Sequence, residues 1–443
     1  MNAARTALST LNKLRLLPLC WTRQRLGAEC LERLQLRLLQ RTLRRAYERV
    51  PLYRARWDAV GVHPDDLRTL ADLARFPIME KDDIRDAFPH SAVARGTNLA
   101  RCRIQQTSGS SGQCMEIALD RRCDDARTLF TQRIYGLQGF RFWRRMAYLF
   151  PYPLPLQKNL GLYRNRHIDS NVPPAVIVEA LRKFKPHLLA ATPSDLFDLC
   201  DGYEGDLREL GLLSLCLHSE PLSQDERRHL ADRFGCAVST NYYCNEVWAI
   251  AGECRAGTLH QFPDSVVLEI VGDDGEPVPR GQCGHVVVTS LHNHVQPFVR
   301  YRLGDRASWT ERNTPCICGL ALPAMRLVEG RDDDYLEYPD GRRLHPSKIT
   351  VAVKSPCFAY PGLQIFRDYR ITQDGPAHVT VQIVPGRDRQ PLESCAHEGV
   401  ENLRRLLGPP FTIDLKLTKS LERGPGGKRK IMERLVADSG ETQ

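Results

Sequence analysis

The chain has 443 residues, of which 42% are hydrophobic and 26% are charged. This is an ordinary globular composition, and the length exceeds what a single core usually organises, so we expect two or three domains. The net charge of +9 is uneven, because residues 1–56 hold 13 Lys and Arg against 3 Glu and the remainder sums to −1. A basic surface confined to one segment, with no docking motif, disfavours a nucleic-acid-binding protein.

No apolar run approaches the length of a membrane-spanning helix. Residues 1–20 are basic but lack a long apolar core and a small-residue cleavage site, so no signal peptide is predicted. The 15 cysteines show no regular pairing. Together these observations predict reduced thiols and a cytoplasmic location.

The basic N-terminal segment has helical periodicity. Over residues 29–50, Leu36, Leu39 and Leu43 fall on one face and most arginines fall elsewhere, and Pro51 ends the pattern. Residues 1–95 are predicted to be mainly helical. We interpret the arginines as a solvated helix face; a homodimer contact and an anionic membrane surface are the alternatives, between which the sequence does not choose.

From about residue 100 the predicted fold is α/β. Helices at 122–140 and 176–186 alternate with apolar strands such as 146–153, which predicts a parallel sheet with βαβ crossovers. Ligands of such sheets lie at the carboxyl ends of the strands, so the turns at 193–194 and 218–221 are candidates for lining a site. Residues 262–310 become β-rich, and a smaller segment of helices and strands begins after a predicted boundary near 330.

A glycine- and serine-rich loop follows the first predicted strand. Its residues are Thr107, Ser108, Gly109, Ser110, Ser111 and Gly112. Glycine lets backbone N–H groups approach an anion, and the hydroxyl groups add donors, so the loop is a candidate phosphate cradle. An ordinary polar hairpin turn fits the same residues, and the loop alone does not decide between the two.

Three other charged positions suit a nucleotide. Glu246, within YYCNEVW, could hold Mg²⁺ that bridges phosphates. Asp305, after Gly304 at a predicted strand end, could accept hydrogen bonds from vicinal ribose hydroxyls. A lysine on the glycine-rich GPGGKRK stretch could approach a developing negative charge. The alternatives are a surface glutamate, a common Gly–Asp turn and a flexible basic tail.

Four metal-ligating residues form a separate set: Cys254, His260, Cys316 and Cys318. Three thiols and one imidazole complete a tetrahedral zinc site. The spacing is not that of a common zinc finger, but the TPCICG surroundings favour ligation. The alternative is a group of buried free cysteines.

In their order along the chain these stretches resemble an adenylate-forming enzyme, and more narrowly the phenylacetate–CoA ligase family with its capsule-biosynthesis relatives. The similarity begins in the N-terminal helices, up to residue 89, and continues through TSGSSGQ, SEPLS, YYCNE, PFVRYRLGD, EGRDDD and GGKRK. The family fold would be a large N-terminal α/β domain, made of a helical segment 1–95 and an ATP- and acyl-binding core 96–330, followed by a small mobile α+β domain at 331–443.

The resemblance implies a role for each matching residue. The loop 107–112 would wrap the ATP phosphates, and Glu246 would hold Mg²⁺. Asp305 would bind the ribose with help from Arg331. Lys428 would reach the carboxylate and the α-phosphate, and Asp333 would be the hinge. The adenine would lie along Ser219, Glu220, Pro221 and Tyr242. The Cys/His set is similar to a structural zinc site of the family.

The activity implied is ATP-dependent activation of a carboxylic acid as an acyl-adenylate, then transfer to the thiol of CoA or of a carrier protein. Transfer to an amine or a sugar amine, and a binding protein of the same fold without turnover, are the alternatives. Four residues depart from the family pattern: Gln113 and Cys114 stand where Lys-Pro is usual, Tyr243 replaces glycine, and Asn245 replaces a hydroxyl residue. The region 136–160 also lacks the pattern expected of a phenylacetate enzyme.

Overall fold

The fold was derived from a computed structural model. The residues it describes are 13, 18, 21–106, 115–150, 164–220, 222, 224–311, 316–331, 335–344, 349, 352–360, 365–386, 388–422 and 431–435.

The regular elements are numbered here in chain order. Within the described ranges the α-helices α1 to α8 are Ala28–Arg49, Pro51–Ala59, Lys81–Ala87, Arg121–Leu137, Pro174–Phe184, Pro193–Gly202, Gln224–Phe234 and Leu392–Leu407. The strands β1 to β19 are Arg103–Gln106, Glu116–Leu119, Met146–Phe150, Asn165–Asp169, Leu188–Ala191, Ser214–His218, Ala237–Cys244, Trp248–Glu253, Leu259–Gln261, Val266–Val271, Gly284–Ser290, Tyr301–Trp309, Ala324–Arg331, Leu336–Glu337, Arg343–Leu344, Phe366–Gly375, His378–Pro385, Thr412–Leu417 and Met432–Arg434.

The N-terminal segment is mainly helical, as predicted. Leu39 and Leu43 of α1 are fully buried, and this apolar face packs into the core of the large domain. Pro51 ends α1 and also begins α2, at a position where its missing N–H costs nothing. The Tyr53 hydroxyl donates to the carbonyl of Pro297 at 2.8 Å, which ties α2 to the β-rich region.

An eleven-stranded sheet dominates the molecule, in the order β10-β11-β12-β13-β9-β8-β7-β6-β5-β3-β4. Strands β3 to β7 pair in parallel, which confirms the predicted βαβ half. On the other side of β7 in this sheet, the described strands from β8 to β10 all pair antiparallel with their neighbours. The β-rich region therefore extends the same sheet, and β7 is the strand at which the two halves meet.

A second, four-stranded sheet has the order β18-β17-β16-β19. With α8 it forms a hydrophobic core whose described members all follow residue 335. This separation supports the proposed boundary near 330. Ion pairs connect the two parts: Arg367 contacts Asp198 and Asp201, each at 3.0 Å, and Lys354 contacts Glu226 at 3.2 Å. No helix in the described ranges is both long enough and apolar enough to span a bilayer.

Candidate active site

The candidate site lies where the parallel strands end. β6 ends at His218 and its neighbour β7 ends at Cys244, so the residues after both strands meet at one edge of the sheet. Ser219 is exposed there and has a backbone φ of 73°, an uncommon conformation for serine. Its hydroxyl lies 2.9 Å from Nδ1 of His218. Glu220 is half-buried next to it, and Pro221 lies outside the described residues.

The glycine- and serine-rich loop connects two paired strands, as predicted. β1 and β2 are antiparallel, and Gln106 faces Glu116 at the mouth of the loop. Residues 107–114 lie outside the described residues. The end of β1 lies beside the turn that carries Glu246, because Nε2 of Gln105 donates to Oδ1 of Asn245 at 2.7 Å.

A buried arginine stabilises the turn that carries Glu246. Arg127 of α4 is almost fully buried, and its Nη2 donates to the carbonyls of Asn245 at 2.8 Å and Glu246 at 3.2 Å. Its Nη1 donates to Gln105 at 3.2 Å, and its guanidinium lies over the ring of Trp248. A planar guanidinium with several donors suits this work, because one side chain can satisfy acceptors from two segments.

Glu246 is 9% exposed, and its carboxylate accepts a long hydrogen bond of 3.4 Å from the Tyr301 hydroxyl. Burial raises the pKa of the neighbouring Cys244 thiol well above its usual range, and the Glu246 charge adds to this effect, so Cys244 stays protonated. A carboxylate with capacity for further ligands fits the oxygen chemistry of Mg²⁺.

Asp305 lies on β12 and accepts a hydrogen bond of 2.7 Å from the Tyr242 hydroxyl. In the sheet Asp305 stands opposite Arg331 of β13, at a break in the register of the ladder. The Tyr242 hydroxyl thus contacts the Asp305 carboxylate and the Arg331 backbone pairs with Asp305, while the roles of these residues toward a nucleotide stay predictions. Lys428 and Asp333 lie outside the described residues, so their roles stay predictions.

The predicted metal ligands form one cluster. The candidate ligand atoms of Cys254, His260, Cys316 and Cys318 all lie within 4.8 Å of one another. The sulfurs of Cys254 and Cys316 are 3.8 Å apart, and the sulfur of Cys318 is 3.3 Å from Nε2 of His260. Two thiolates on one tetrahedral zinc stand about 3.8 Å apart. The separation of the Cys254 and Cys316 sulfurs therefore fits a shared zinc ion.

Second contacts prepare these ligands. Nδ1 of the fully buried His260 lies 3.2 Å from the carbonyl of Leu322, which leaves Nε2 free to bind a metal. Burial raises the pKa of the Cys316 thiol, but hydrogen bonds with the Thr258 hydroxyl and from the backbone N–H of Cys318 outweigh it and bring the pKa to about 6. Such a thiol readily supplies the thiolate that zinc requires.

Sequence reasoning missed Gln105, Arg127 and Tyr301. Tyr301 stands inside the PFVRYRLGD stretch, and that motif was the signal that could have found it. Gln105 stands two positions before the predicted phosphate loop, and this position is only a weak sign of a functional role. Arg127 bonds mainly to backbone carbonyls, and a sequence holds no mark of such acceptors.

No protein-family model matches the chain. A phenylacetate–coenzyme A ligase of Aromatoleum evansii is 28% identical over 426 residues, covering 90% of this chain and 93% of the relative. The Pseudomonas putida enzyme of the same name is 30% identical over 331 residues, covering 70% of this chain and 72% of the relative.

The fold has solved counterparts. A 2-hydroxyisobutyryl-CoA ligase in its postadenylation state superposes with a TM-score of 0.76 over 94% of this chain and 91% of that one, at 21% identity. This likeness shows the adenylate-forming fold. Together with the identity to curated relatives over more than two thirds of their length, it establishes that the chain belongs to the phenylacetate–CoA ligase family.

Proposed function

We propose that the protein is an ATP-dependent carboxylate–CoA ligase that works in two half-reactions at the β6–β7 edge. A carboxylate oxygen of the acid attacks the α-phosphorus of ATP, and pyrophosphate leaves with its bonding electrons. The CoA thiol, losing its proton, then attacks the acyl carbon of the adenylate, and AMP leaves. The observation that supports this proposal is the Gln105–Asn245 hydrogen bond, because Gln105 stands two positions before residues 107–112 and Asn245 directly precedes Glu246.

The residues divide the nucleotide between them. The backbone N–H groups and hydroxyls of residues 107–112 bind the phosphates. Asp305, oriented by its bond from Tyr242, accepts the ribose hydroxyls, and Arg331 opposite it in the ladder assists. The adenine lies along the segment that starts at the exposed Ser219. Fixed positions for both reactants turn an encounter between two molecules into a local step.

Charge is the main barrier, because a carboxylate and a triphosphate repel each other. Glu246, held by Arg127 and Tyr301, is the residue that would bind Mg²⁺, and that ion would neutralise phosphate charge when bound. Lys428 brings a second positive charge to the carboxylate and the α-phosphate. Rotation about Asp333 then withdraws Lys428 and opens a route for the thiol.

The Cys254, His260, Cys316 and Cys318 cluster is proposed as a structural zinc site. All four ligands come from the protein, which is typical of structural rather than catalytic zinc. Its position fits this role, because the cluster joins the end of β8, the strand β9 and the loop before β13. It would stabilise the antiparallel half of the sheet and take no part in the reaction.

The test is carboxylate-dependent exchange of labelled pyrophosphate into ATP over a library of acids, followed by CoA-dependent release of AMP. Exchange with at least one acid and AMP release only with CoA are expected. If pyrophosphate exchange occurs but CoA releases no AMP, and an added amine does release AMP, then the acyl acceptor is an amine and not CoA. ATP binding with no exchange for any acid would identify a binding protein without turnover.

A further inference from the structure

Strand β7 presents its residues to two different surroundings. Tyr242 points toward Asp305 and the large core. Successive residues of a strand alternate in direction, so Asn241 and Tyr243 point to the opposite face. There they meet the C-terminal end of α4, where Gln138 donates from Nε2 to Oδ1 of Asn241 at 2.6 Å. This second face adjoins the nucleotide residues without belonging to them.

Aromatic rings enclose the space around Tyr243. The ring of Tyr243 lies 6.1 Å from that of His218 and 5.7 Å from that of Trp248. Tyr135 and Tyr148, whose rings are 6.1 Å apart, are almost completely buried nearby. Tyr243 as a whole is half-buried, and its hydroxyl is buried.

Among the residues that the structure describes, two polar atoms here have no hydrogen-bond partner: Oε1 of Gln138 and Nδ2 of Asn241. Gln138 is 1% exposed and Asn241 is 7% exposed, so both amides are shielded from bulk solvent. The nitrogen and oxygen of a side-chain amide can be assigned either way round. If both amides are flipped, the bond between them reverses, and one acceptor and one donor are still left without a partner. Buried polar groups without partners are uncommon in native proteins and point to a ligand that is absent.

A hydroxyl group is complementary to the amides of Gln138 and Asn241. It can donate to the free amide oxygen and accept from the free amide nitrogen at the same time. The enclosure begins at the carboxyl end of β6, where His218 adjoins Ser219, so an acid with its carboxylate toward the nucleotide would extend its other end to these amides. The Tyr243 phenol occupies room that an aryl side chain of a substrate would need.

Building on the ligase function proposed above, we infer that the acid activated by this enzyme is a short aliphatic hydroxy acid. Gln138 and Asn241 would bind its hydroxyl, and Tyr243 would exclude acids with an aromatic ring. A site that offers hydrogen bonds to a substrate hydroxyl discriminates strongly against the analogue without it, because its own polar groups then stay unpaired.

The test compares matched acids in the pyrophosphate-exchange assay: lactate with propionate, 3-hydroxybutyrate with butyrate, and phenylacetate as the aromatic probe. For at least one pair, kcat/KM for the hydroxy acid should exceed that of its partner about tenfold or more. In Asn241→Leu and Gln138→Leu this ratio should fall toward one. Tyr243→Gly should gain exchange with phenylacetate. Thr128→Val, which removes a hydroxyl bonded only within α4, is the matched control and should keep the ratio.

The outcomes separate the two levels of the proposal. Equal or better use of the deoxy acids or of phenylacetate by the unmodified enzyme would overturn this inference and leave the ligase function standing. A hydroxy-acid preference that survives in both Leu variants would overturn the assignment of the amides. The two variants act on different elements, so a folding failure in one leaves the other informative. Absence of exchange with every acid would overturn the ligase function, and this inference with it.

Discussion

Gln105 and Asn245 stand 140 positions apart in the chain, yet their side-chain amides form one hydrogen bond at the mouth of the phosphate loop. Asn245 occupies a position where the family usually has a hydroxyl residue. Its amide is longer than a serine side chain, and Gln105 on β1 supplies the partner that this length requires. Arg127 bonds to both segments, so three side chains form one support beneath Glu246.

A double-mutant cycle tests this support. We expect Gln105→Ala and Asn245→Ala each to lower kcat/KM for ATP in the exchange assay. The double variant should lose less than the sum of the two, with a coupling of about 1 kcal/mol, because either change alone already breaks the bond. Asn402→Ala, which removes an amide bonded to Ser355 in the C-terminal part, is the control and should leave kcat/KM unchanged. Strict additivity would contradict the pairing.

His294 gives a prediction about pH. Burial, then the neighbouring His292, Arg45, Arg41 and Arg122, lower its pKa from 6.5 to about 4. Between these values the unfolded chain binds a proton that the folded protein does not, so the free energy of unfolding decreases as the pH falls from about 6.5 toward 4. His294→Gln should remove about 2 kcal/mol of that decrease, measured by urea unfolding at pH 7 and pH 4.5. If the free energy of unfolding changes equally with pH in the unmodified protein and in His294→Gln, the lowered pKa of His294 is refuted.

At the scale of elements, Arg300 joins the N-terminal helical segment to the sheet. Its side chain is buried, pairs with Glu269 of β10, and donates to the carbonyls of Ala74, Phe76 and Gly275. Burial raises the pKa of the Glu269 carboxyl despite this pairing. Removing the cation would therefore leave a carboxylate buried without a partner.

Arg300→Met should lower the free energy of unfolding by about 3 kcal/mol or more, as measured by urea denaturation. Arg302, two positions further along the chain on β12, offers a matched control, because it pairs with Glu80 at 2.9 Å and Glu80 is largely exposed. Arg302→Met should cost less than about 1 kcal/mol. Equal costs for the two variants would show that the Arg300 bonds do not hold the segment.

The proposed zinc site at Cys254, His260, Cys316 and Cys318 leads to a prediction about the stability of the antiparallel half of the sheet. The purified protein should contain about one zinc per chain by elemental analysis, and Cys316→Ser should lose it and unfold at a lower temperature. Cys283→Ser, which changes an exposed cysteine away from the cluster, should keep both the zinc and the melting temperature. A well-folded protein without zinc would refute the site.

At the scale of the whole molecule, sequence patterns predicted what depends on local order. Alternating strands and helices revealed the parallel half, and the ordered motifs identified the family. Bonds set by the tertiary fold were beyond reach. Arg127 bonds to carbonyls, and the free atoms of Gln138 and Asn241 become visible only when α4 is packed on β7. That the β-rich region extends the parallel sheet also depends on contacts far apart in sequence.

The proposed division of labour between the two domains leads to the last prediction. In this proposal Lys428 belongs to the small domain, and its charge would be needed only while the carboxylate attacks the α-phosphorus. Lys428→Ala should therefore lower pyrophosphate exchange at least about 100-fold, the effect typical of losing one group that stabilises developing charge. Thioester formation from supplied acyl-adenylate and CoA should change only a few-fold, because rotation has already withdrawn the lysine at that stage. Lys430→Ala, two positions along the same basic stretch, should reduce neither reaction comparably. Exchange that survives Lys428→Ala, or equal loss of both half-reactions, would contradict a lysine that acts in adenylation alone.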